Sequence, residues 1–396
     1  MRAVRTGTPQ CLSRTSEHPW DFTSATTIPR RSGTPGAEED TAGPAMGRGA
    51  CPGLVAEPAR PSSSRMTLPR PLAAGHRLGP YRLLERLGQG AQGEVWKALR
   101  LDRRAEFVAL KVLKSALASN PARMAQFRRE AERGVRLDGP SLLPVYELST
   151  CDGHHFMAMP YVEGTSLREV IKSRLRDGGR APRHFLTSLE EPDYLRAMTR
   201  ILAKAARALG RVHDHRIAHR DIKPANLLLV HDRSEEVYLC DFGLGRDLEV
   251  ATAEQMRDGA GTPMYMAPER LLRALADEIK CDIYSMGVTL FEAFTLQRPF
   301  QVPGHLTSSS LPAFLVRTEP RRPRAVCPGL PPEHEAVILK AMARNPSRRY
   351  ESAYQLAADL ERLDVSREAP AARAIGKRQV ASGQSRPVAP KDRCLT

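Results

Sequence analysis

Between two short stretches with strand character, Tyr81 to Leu87 and Glu94 to Leu99, the chain runs Gly88-Gln-Gly90-Ala-Gln-Gly93. Glycines at this spacing let backbone amides approach a ligand closely, phosphate oxygens above all. On its own such a run is equally a plain glycine-rich hairpin. A dinucleotide-binding fold would place a helix directly after the glycines. Here Glu94-Val95-Trp96-Lys97-Ala98 reads as a returning strand instead, so the turn closes an antiparallel hairpin. A third strand follows at Phe107 to Leu113. Its period-two alternation puts Ala109 and Lys111 on one face and Val108, Leu110 and Val112 on the other. On the first face small Ala109 leaves room for a flat ring and Lys111 offers a point charge, although exposed strand lysines are common.

Further along the period changes. Leu195, Met198, Leu202, Ala205, Leu209 and Val212 recur every three or four residues, as do Leu356, Leu360 and Leu363, which predicts helices whose apolar stripes are core. Strands first and helices afterwards predict two lobes with a cleft between them.

Composition bounds the folded part. Residues 1 to 75 hold ten prolines and no lysine, without sustained periodicity, and are expected to be disordered. Glu38, Glu39 and Asp40 break the acid-poor pattern of a transit peptide, and Met46 and Met66 stand as alternative starts. Of the net charge of +15, the segments 1–75 and 366–396 carry +3 and +5, leaving +7 for residues 76–365. Because a nucleic-acid binder concentrates its basic groups, no specific nucleic-acid partner is expected. The seven cysteines are scattered with no Cys-x-x-Cys pair, which speaks against a zinc site or a disulfide framework. No apolar run approaches the roughly 18 residues of a membrane span, and no signal peptide opens the chain. A soluble, cytoplasmic protein without a membrane span is expected.

Three rarer runs follow in order: His219-Arg220-Asp221-Ile222-Lys223-Pro224-Ala225-Asn226, then Asp241-Phe242-Gly243, then Ala267-Pro268-Glu269. Behind the glycine turn and the lysine strand, these make the chain resemble the protein kinase family over about residues 79 to 365. The closing run from Glu333 to Leu363, with Asn345-Pro346 and Leu356-Ala-Ala-Asp-Leu360, is most similar to the bacterial eukaryotic-like serine/threonine kinases. The resemblance implies an α+β, two-lobed protein kinase fold: a small antiparallel β-sheet lobe with one main helix (about 79–159) and a larger, mostly helical lobe (about 163–365). The domain reading is therefore a disordered extension at 1–75, a kinase domain at 76–365 and a disordered basic tail at 366–396.

What the resemblance implies for the site follows from the needs of phosphoryl transfer, which are positioning and charge neutralisation. Lys111, held by Glu130 of the following helix, would grip the α- and β-phosphates of ATP. Gly88, Gly90 and Gly93 would cover them. Asn226 and Asp241 would supply oxygen ligands to Mg2+, a hard cation that prefers oxygen. Asp221 would accept or orient the substrate hydroxyl proton, and Lys223 would neutralise the γ-phosphate. Val95, Ala109 and Leu228 would sandwich adenine, with Met159 at the gatekeeper position and backbone groups near Pro160 and Val162 meeting the ring edge. Lys223, two residues after Asp221, resembles the serine/threonine branch. The implied partners are proteins with Ser or Thr, and a second copy of the chain for trans-autophosphorylation. A pseudokinase scaffold and a small-molecule kinase of the aminoglycoside type are the alternatives. Asp282 would anchor the catalytic loop, and Glu269 would pair with Arg349; both are read as stability residues.

In the family, an arginine placed like Arg220 often meets a phosphate on the activation segment, here Asp241 to Glu269. Thr262 matches a position that contacts the catalytic Asp, which leaves Thr252 as the phosphorylation candidate; Glu249 and Glu254 are the alternative source of charge. Departures from the family are Gly245, Pro160 and Gly134. The last is helix-weakening, and a looser helix with lower basal activity is expected from it. The stretch Ser173 to Asp193 is longer and more basic than expected, with a solvated loop as its default reading. Cys240, beside Asp241, is either a reactive thiol or inert packing.

Overall fold

The computed structural model describes residues 71–90, 92–102, 105–176, 184–248 and 261–364. Most of the 1–75 extension, the 366–396 tail, and Glu249, Thr252 and Glu254 lie outside the described residues.

The first lobe is a six-stranded antiparallel sheet in the order β1-β2-β3-β4-β6-β5: β1 (Arg77–Leu78), β2 (Tyr81–Gln89), β3 (Gly93–Arg100), β4 (Glu106–Leu113), β5 (Glu147–Cys151) and β6 (His154–Pro160). The β2–β3 hairpin closes at the glycine run, with Gly88 opposite Val95 and Gln89 opposite Glu94. Two register shifts in β2, at Leu83/Glu85 and Arg86/Gly88, disturb the ladder and bend the hairpin. The alternation expected in β4 holds. Val108, Leu110 and Val112 pack with Leu83, Trp96 and Phe156 on one face. On the other, Leu113 and Met157 meet Phe127 and Ala131 of a helix.

After the short α1 (Ser115–Ala118), that helix is α2 (Pro121–Arg136). Asn120 caps it, accepting from the amides of Ala122 and Arg123, with Pro121 in the first turn where its missing N–H costs nothing. Gly134 has a different reason from the one its propensity suggests. A Cβ there would lie 2.2 Å from Cγ2 of Val145, and the Val145 amide donates to the Gly134 carbonyl at 3.1 Å. The glycine lets α2 press directly onto the chain entering β5.

The second lobe begins with β7 (Gly164–Ser166) and α3 (Leu167–Leu175). The stretch Ser173 to Asp193 is more than a solvated loop in its described part. Leu186 is fully buried, His184 nearly so, and Arg174 donates to the carbonyls of Leu186 and Leu189 while its guanidinium covers the Tyr194 ring at 3.9 Å. The expected stripe forms α4 (Glu191–Asp214), where Met198, Leu202, Ala205, Leu209 and Val212 are wholly buried. Beyond it lie β8 (Ile217–Ala218), β9 (Leu227–Val230), β10 (Val237–Leu239) and β11 (Arg246–Asp247); β10, β9 and β7 form one small sheet, and β11 pairs with β8. Helices α5 (Pro268–Leu271), α6 (Glu278–Thr295), α7 (Leu311–Arg317), α8 (Pro323–Val326) and α9 (Pro332–Ala341) follow, then α10 over 353–364. Every residue of α6 except Ile279 is buried, which makes it the post around which this lobe packs. Leu356 and Leu360 of α10 complete the same core, with Leu363 against its edge. Among the described residues no helix is long and apolar enough to cross a membrane.

Candidate active site

Four segments converge: β4, α2, the loop between β8 and β9, and the residues between β10 and β11. Lys111 Nζ lies 2.5 Å from Glu130 Oε1 and 3.0 Å from Asp241 Oδ1. Burial works against the ammonium, yet Asp241 and Glu130 together hold it above its ordinary value. Burial pushes the Glu130 carboxyl up to about 7 although Lys111 pulls it down. At Asp241 burial also favours the neutral acid, but Lys111 outweighs it and keeps the carboxyl below its usual range. The reason α2 can deliver Glu130 is its polar edge. Gln126 donates to the Gly243 carbonyl at 3.0 Å, Arg133 to that of Phe242 at 3.4 Å, and Arg136 pairs with Asp247 at 3.0 Å.

The second half of the site surrounds Asp221. Lys223 Nζ stands 2.5 Å from Asp221 Oδ2 and donates to Thr262 Oγ1 at 3.0 Å; Thr262 in turn donates to Asp221 Oδ1 at 2.8 Å. Asn226 Nδ2 donates to the Asp221 carbonyl at 2.8 Å and to its Oδ2 at 3.2 Å, which leaves the amide oxygen as its donor atom toward a cation. The two halves are tied where the Cys240 amide donates to the Asn226 carbonyl at 3.1 Å. Asp282 of α6 fixes the loop from below, its oxygens accepting from the amides of His219 and Arg220, both at 2.7 Å, and from His213 Nε2 at 3.0 Å. Burial opposes its ionisation, but the His213 hydrogen bond and the other donors outweigh that and hold the carboxyl low. Arg220 and Asp241 both take left-handed backbone angles, φ 69° and 67°, a strain carried by non-glycine residues only where neighbours enforce it.

Register and parity place the ring-binding candidates. Val95 is opposite Lys111 in register and Ala109 is opposite Met159. Leu227 and Leu229 are buried in the second lobe's core, so the half-buried Leu228 points the other way. Val162 stands half-buried two residues past β6. The glycines differ among themselves. At Gly88 and Gly90 an added Cβ would meet nothing closer than 4.0 Å, whereas at Gly93 it would sit 1.9 Å from the Val112 carbonyl oxygen. Gly93 is thus demanded by β4 before any ligand is considered.

Other expectations are met away from the cleft. Arg349 forks onto Glu269 at 2.6 and 2.9 Å and also donates to the carbonyls of Ala343 and Lys280. Cys240 keeps some surface contact, but burial and the neighbouring Asp241 raise its thiol to about 12, which favours the inert reading over the reactive one. Sequence reasoning missed the polar edge of α2, legible as Gln126, Glu130 and Arg133 at helical spacing, and it missed Glu278.

Asn226 and Asp241 offer hard oxygens, and among the described residues no group of three or more His, Cys, Asp or Glu is placed to hold a metal by itself. That donor set suits a cation shared with phosphates, as magnesium is in nucleotide sites. A glycine roof, a lysine between two carboxylates and a second Asp–Lys–Asn group define a phosphoryl-transfer class of site. Residues 81–359 match the protein kinase domain. The chain belongs to the protein kinase family. It is 34% identical to the serine/threonine-protein kinase PknB of Mycolicibacterium smegmatis, over 75% of this chain and 44% of that protein. It is likewise 34% identical to PknD of Mycobacterium tuberculosis, over 72% of this chain and 39% of the other. The chain thus spans less than half the length of these relatives. Among solved structures it is similar to the PknI kinase domain of Mycobacterium tuberculosis, with 26% identity and a TM-score of 0.53 over 74% of this chain and 99% of that one.

Proposed function

We propose that the chain is a serine/threonine protein kinase that transfers the γ-phosphate of ATP, with Mg2+, to hydroxyls of proteins, itself included. One observation carries this reading: the closed set Asp221, Lys223, Thr262 and Asn226, in which a carboxylate is aimed by three donors beside the Lys111–Asp241 pair. Mg2+ when bound would neutralise charge on the phosphates, and Asn226 and Asp241 are the residues to hold it. Asp221 would orient the attacking hydroxyl and take its proton. Lys223, already 2.5 Å from that carboxylate, would meet the γ-phosphate as it moves. Lys111 would hold the other phosphates with Glu130 fixing its direction, under the backbone of Gly88, Gly90 and Gly93. Val95, Ala109, Met159, Val162 and Leu228 would enclose adenine.

The protein-substrate reading, against a small-molecule kinase, is supported by the Glu269–Arg349 pair that braces the segment ending in Ala267-Pro268-Glu269. The pseudokinase reading is disfavoured by a site in which none of these residue types is missing. A kinase domain bounded near residues 76 and 365, a cytoplasmic setting and phosphorylation between copies complete the proposal. The test is incubation with labelled ATP and Mg2+ plus a general protein acceptor. The wild type should label the acceptor and itself, and Asp221→Ala should bind ATP while transferring nothing. Absence of label with the wild type refutes the reading.

A further inference from the structure

Glu278 opens α6, 1% exposed, one turn before Asp282 and on the same side of the helix. Its Oε2 lies 3.3 Å from Arg220 Nε and 3.6 Å from Arg270 Nε, and those two arginines are themselves 2% and 1% exposed. Arg270 also donates through Nη1 to the Arg220 carbonyl at 3.1 Å. Arg220 is therefore held on three sides by residues 270–282: its amide is hydrogen-bonded by Asp282, its carbonyl by Arg270, and its guanidinium faces Glu278 as an ion pair. These contacts enforce the left-handed turn at Arg220 that sets the direction of the next residue, Asp221.

Resting on the kinase reading above, we infer that Glu278 is a positioning residue: it supplies from inside the fold a negative charge facing Arg220, so the catalytic loop keeps its working geometry without phosphate on the activation segment. A charge delivered by phosphorylation orders such a loop only when the phosphate is present. A carboxyl group built into the buried start of α6 is part of the fold and needs no modification to be there. Burial lifts the Glu278 carboxyl above its ordinary value, with Arg270 and Arg220 pulling against the rise. With two guanidiniums facing it, the ionised form leaves the smaller uncompensated charge in the interior. The polar edge of α2 points the same way, since Gln126, Arg133 and Arg136 fasten that helix to residues 242–247 by contacts that need no modification.

The experiment uses the full chain in five forms: untreated, stripped by a Ser/Thr phosphatase that is then removed, Thr252→Ala, Glu278→Gln and Glu278→Asp, each with mass spectrometry of residues 241–269. Initial rates of transfer to dephosphorylated casein are read over varied ATP. Stripped wild type and Thr252→Ala are expected to keep kcat within about threefold of the untreated chain. Glu278→Gln is expected to lose kcat by about tenfold or more with KM for ATP unchanged, as befits loss of positioning rather than of nucleotide binding, and Glu278→Asp to recover part of it. A tenfold loss in stripped wild type or in Thr252→Ala overturns the inference, as does a folded Glu278→Gln with normal kcat. Should Glu278→Gln fail to fold, Glu278→Asp reads the same loss, and a folded Glu278→Asp with unreduced kcat overturns the inference, while the stripped and Thr252→Ala forms decide the need for phosphate. Transfer that appears only with phosphate on the segment overturns this inference alone; transfer by no form, untreated wild type included, overturns the kinase reading with it.

Discussion

Replacing Gly134 by alanine sets helix propensity against packing, and the structure decides which wins. Alanine inside a helix is favoured over glycine by about 1 kcal/mol. The new Cβ, however, would sit 2.2 Å from Cγ2 and 2.9 Å from Cβ of Val145. Carbon pairs in contact rest about 3.5–4.0 Å apart, so α2 must retreat by about 1.3 Å. Turning the Val145 side chain relieves Cγ2 but leaves its Cβ where it is. Retreat also stretches the 3.1 Å bond from the Val145 amide to the Gly134 carbonyl. Overpacking of about 1–3 kcal/mol and the loss of about 1 kcal/mol for that bond exceed the propensity gain. Melting should fall by about 5 °C. The larger effect is on activity: Glu130 lies one turn before Gly134 and is carried away from its 2.5 Å contact with Lys111. A displacement near 1 Å in such a group costs about a hundredfold in rate. Differential scanning fluorimetry and steady-state phosphotransfer to a protein acceptor read the two quantities. Adding Val145→Ala should recover most of the activity, with a coupling of about 1 kcal/mol or more between the sites. A Gly134→Ala chain that melts higher and transfers phosphate at least as fast as the wild type would refute close packing and restore the helix-loosening explanation.

Three further outcomes follow from the same packing and charge pairing. Arg349→Ala leaves the half-buried Glu269 carboxylate without its fork and should cost about 3 kcal/mol, read as a melting decrease of about 10 °C, with kcat per folded molecule largely kept. Burial raises the carboxyls of Asp282 and Glu269, but their donors outweigh it and hold both below the ordinary values of 3.8 and 4.5. The unfolded chain therefore binds more protons in that range, so their contribution is complete above about pH 4.5 and is lost as pH falls below it. Melting temperature should be insensitive to these groups from pH 5 upward and drop on acidification; a rise below pH 4.5 contradicts this. Cys240, its thiol raised to about 12, should resist iodoacetamide at pH 7.5 in the folded chain and react once the chain is unfolded, which peptide mapping distinguishes.

What could be read from the chain was whatever depends on local period. Parity along Val108 to Leu113 sufficed to put Lys111 and Ala109 on the face opposite Val108, Leu110 and Val112, because a strand's alternation is fixed by its backbone and one face had to be core. Helical spacing likewise located α4 and its buried stripe. Distances between elements were not legible in this way. Gly88, Gly90 and Gly93 are alike in sequence, yet only the last lies under a neighbouring carbonyl. Gly134 looked like a weakness because propensity is local, while its reason, Val145, arrives eleven residues later from another element. Glu278 shows where the boundary can be moved. Once Asp282 is expected to point at the catalytic loop, the residue one turn earlier on the same helix points there too, so an acid at 278 beside an arginine at 220 is a pair that spacing alone could have nominated. Its depth of burial, and with it the substitution of a permanent charge for a transient one, needed the fold.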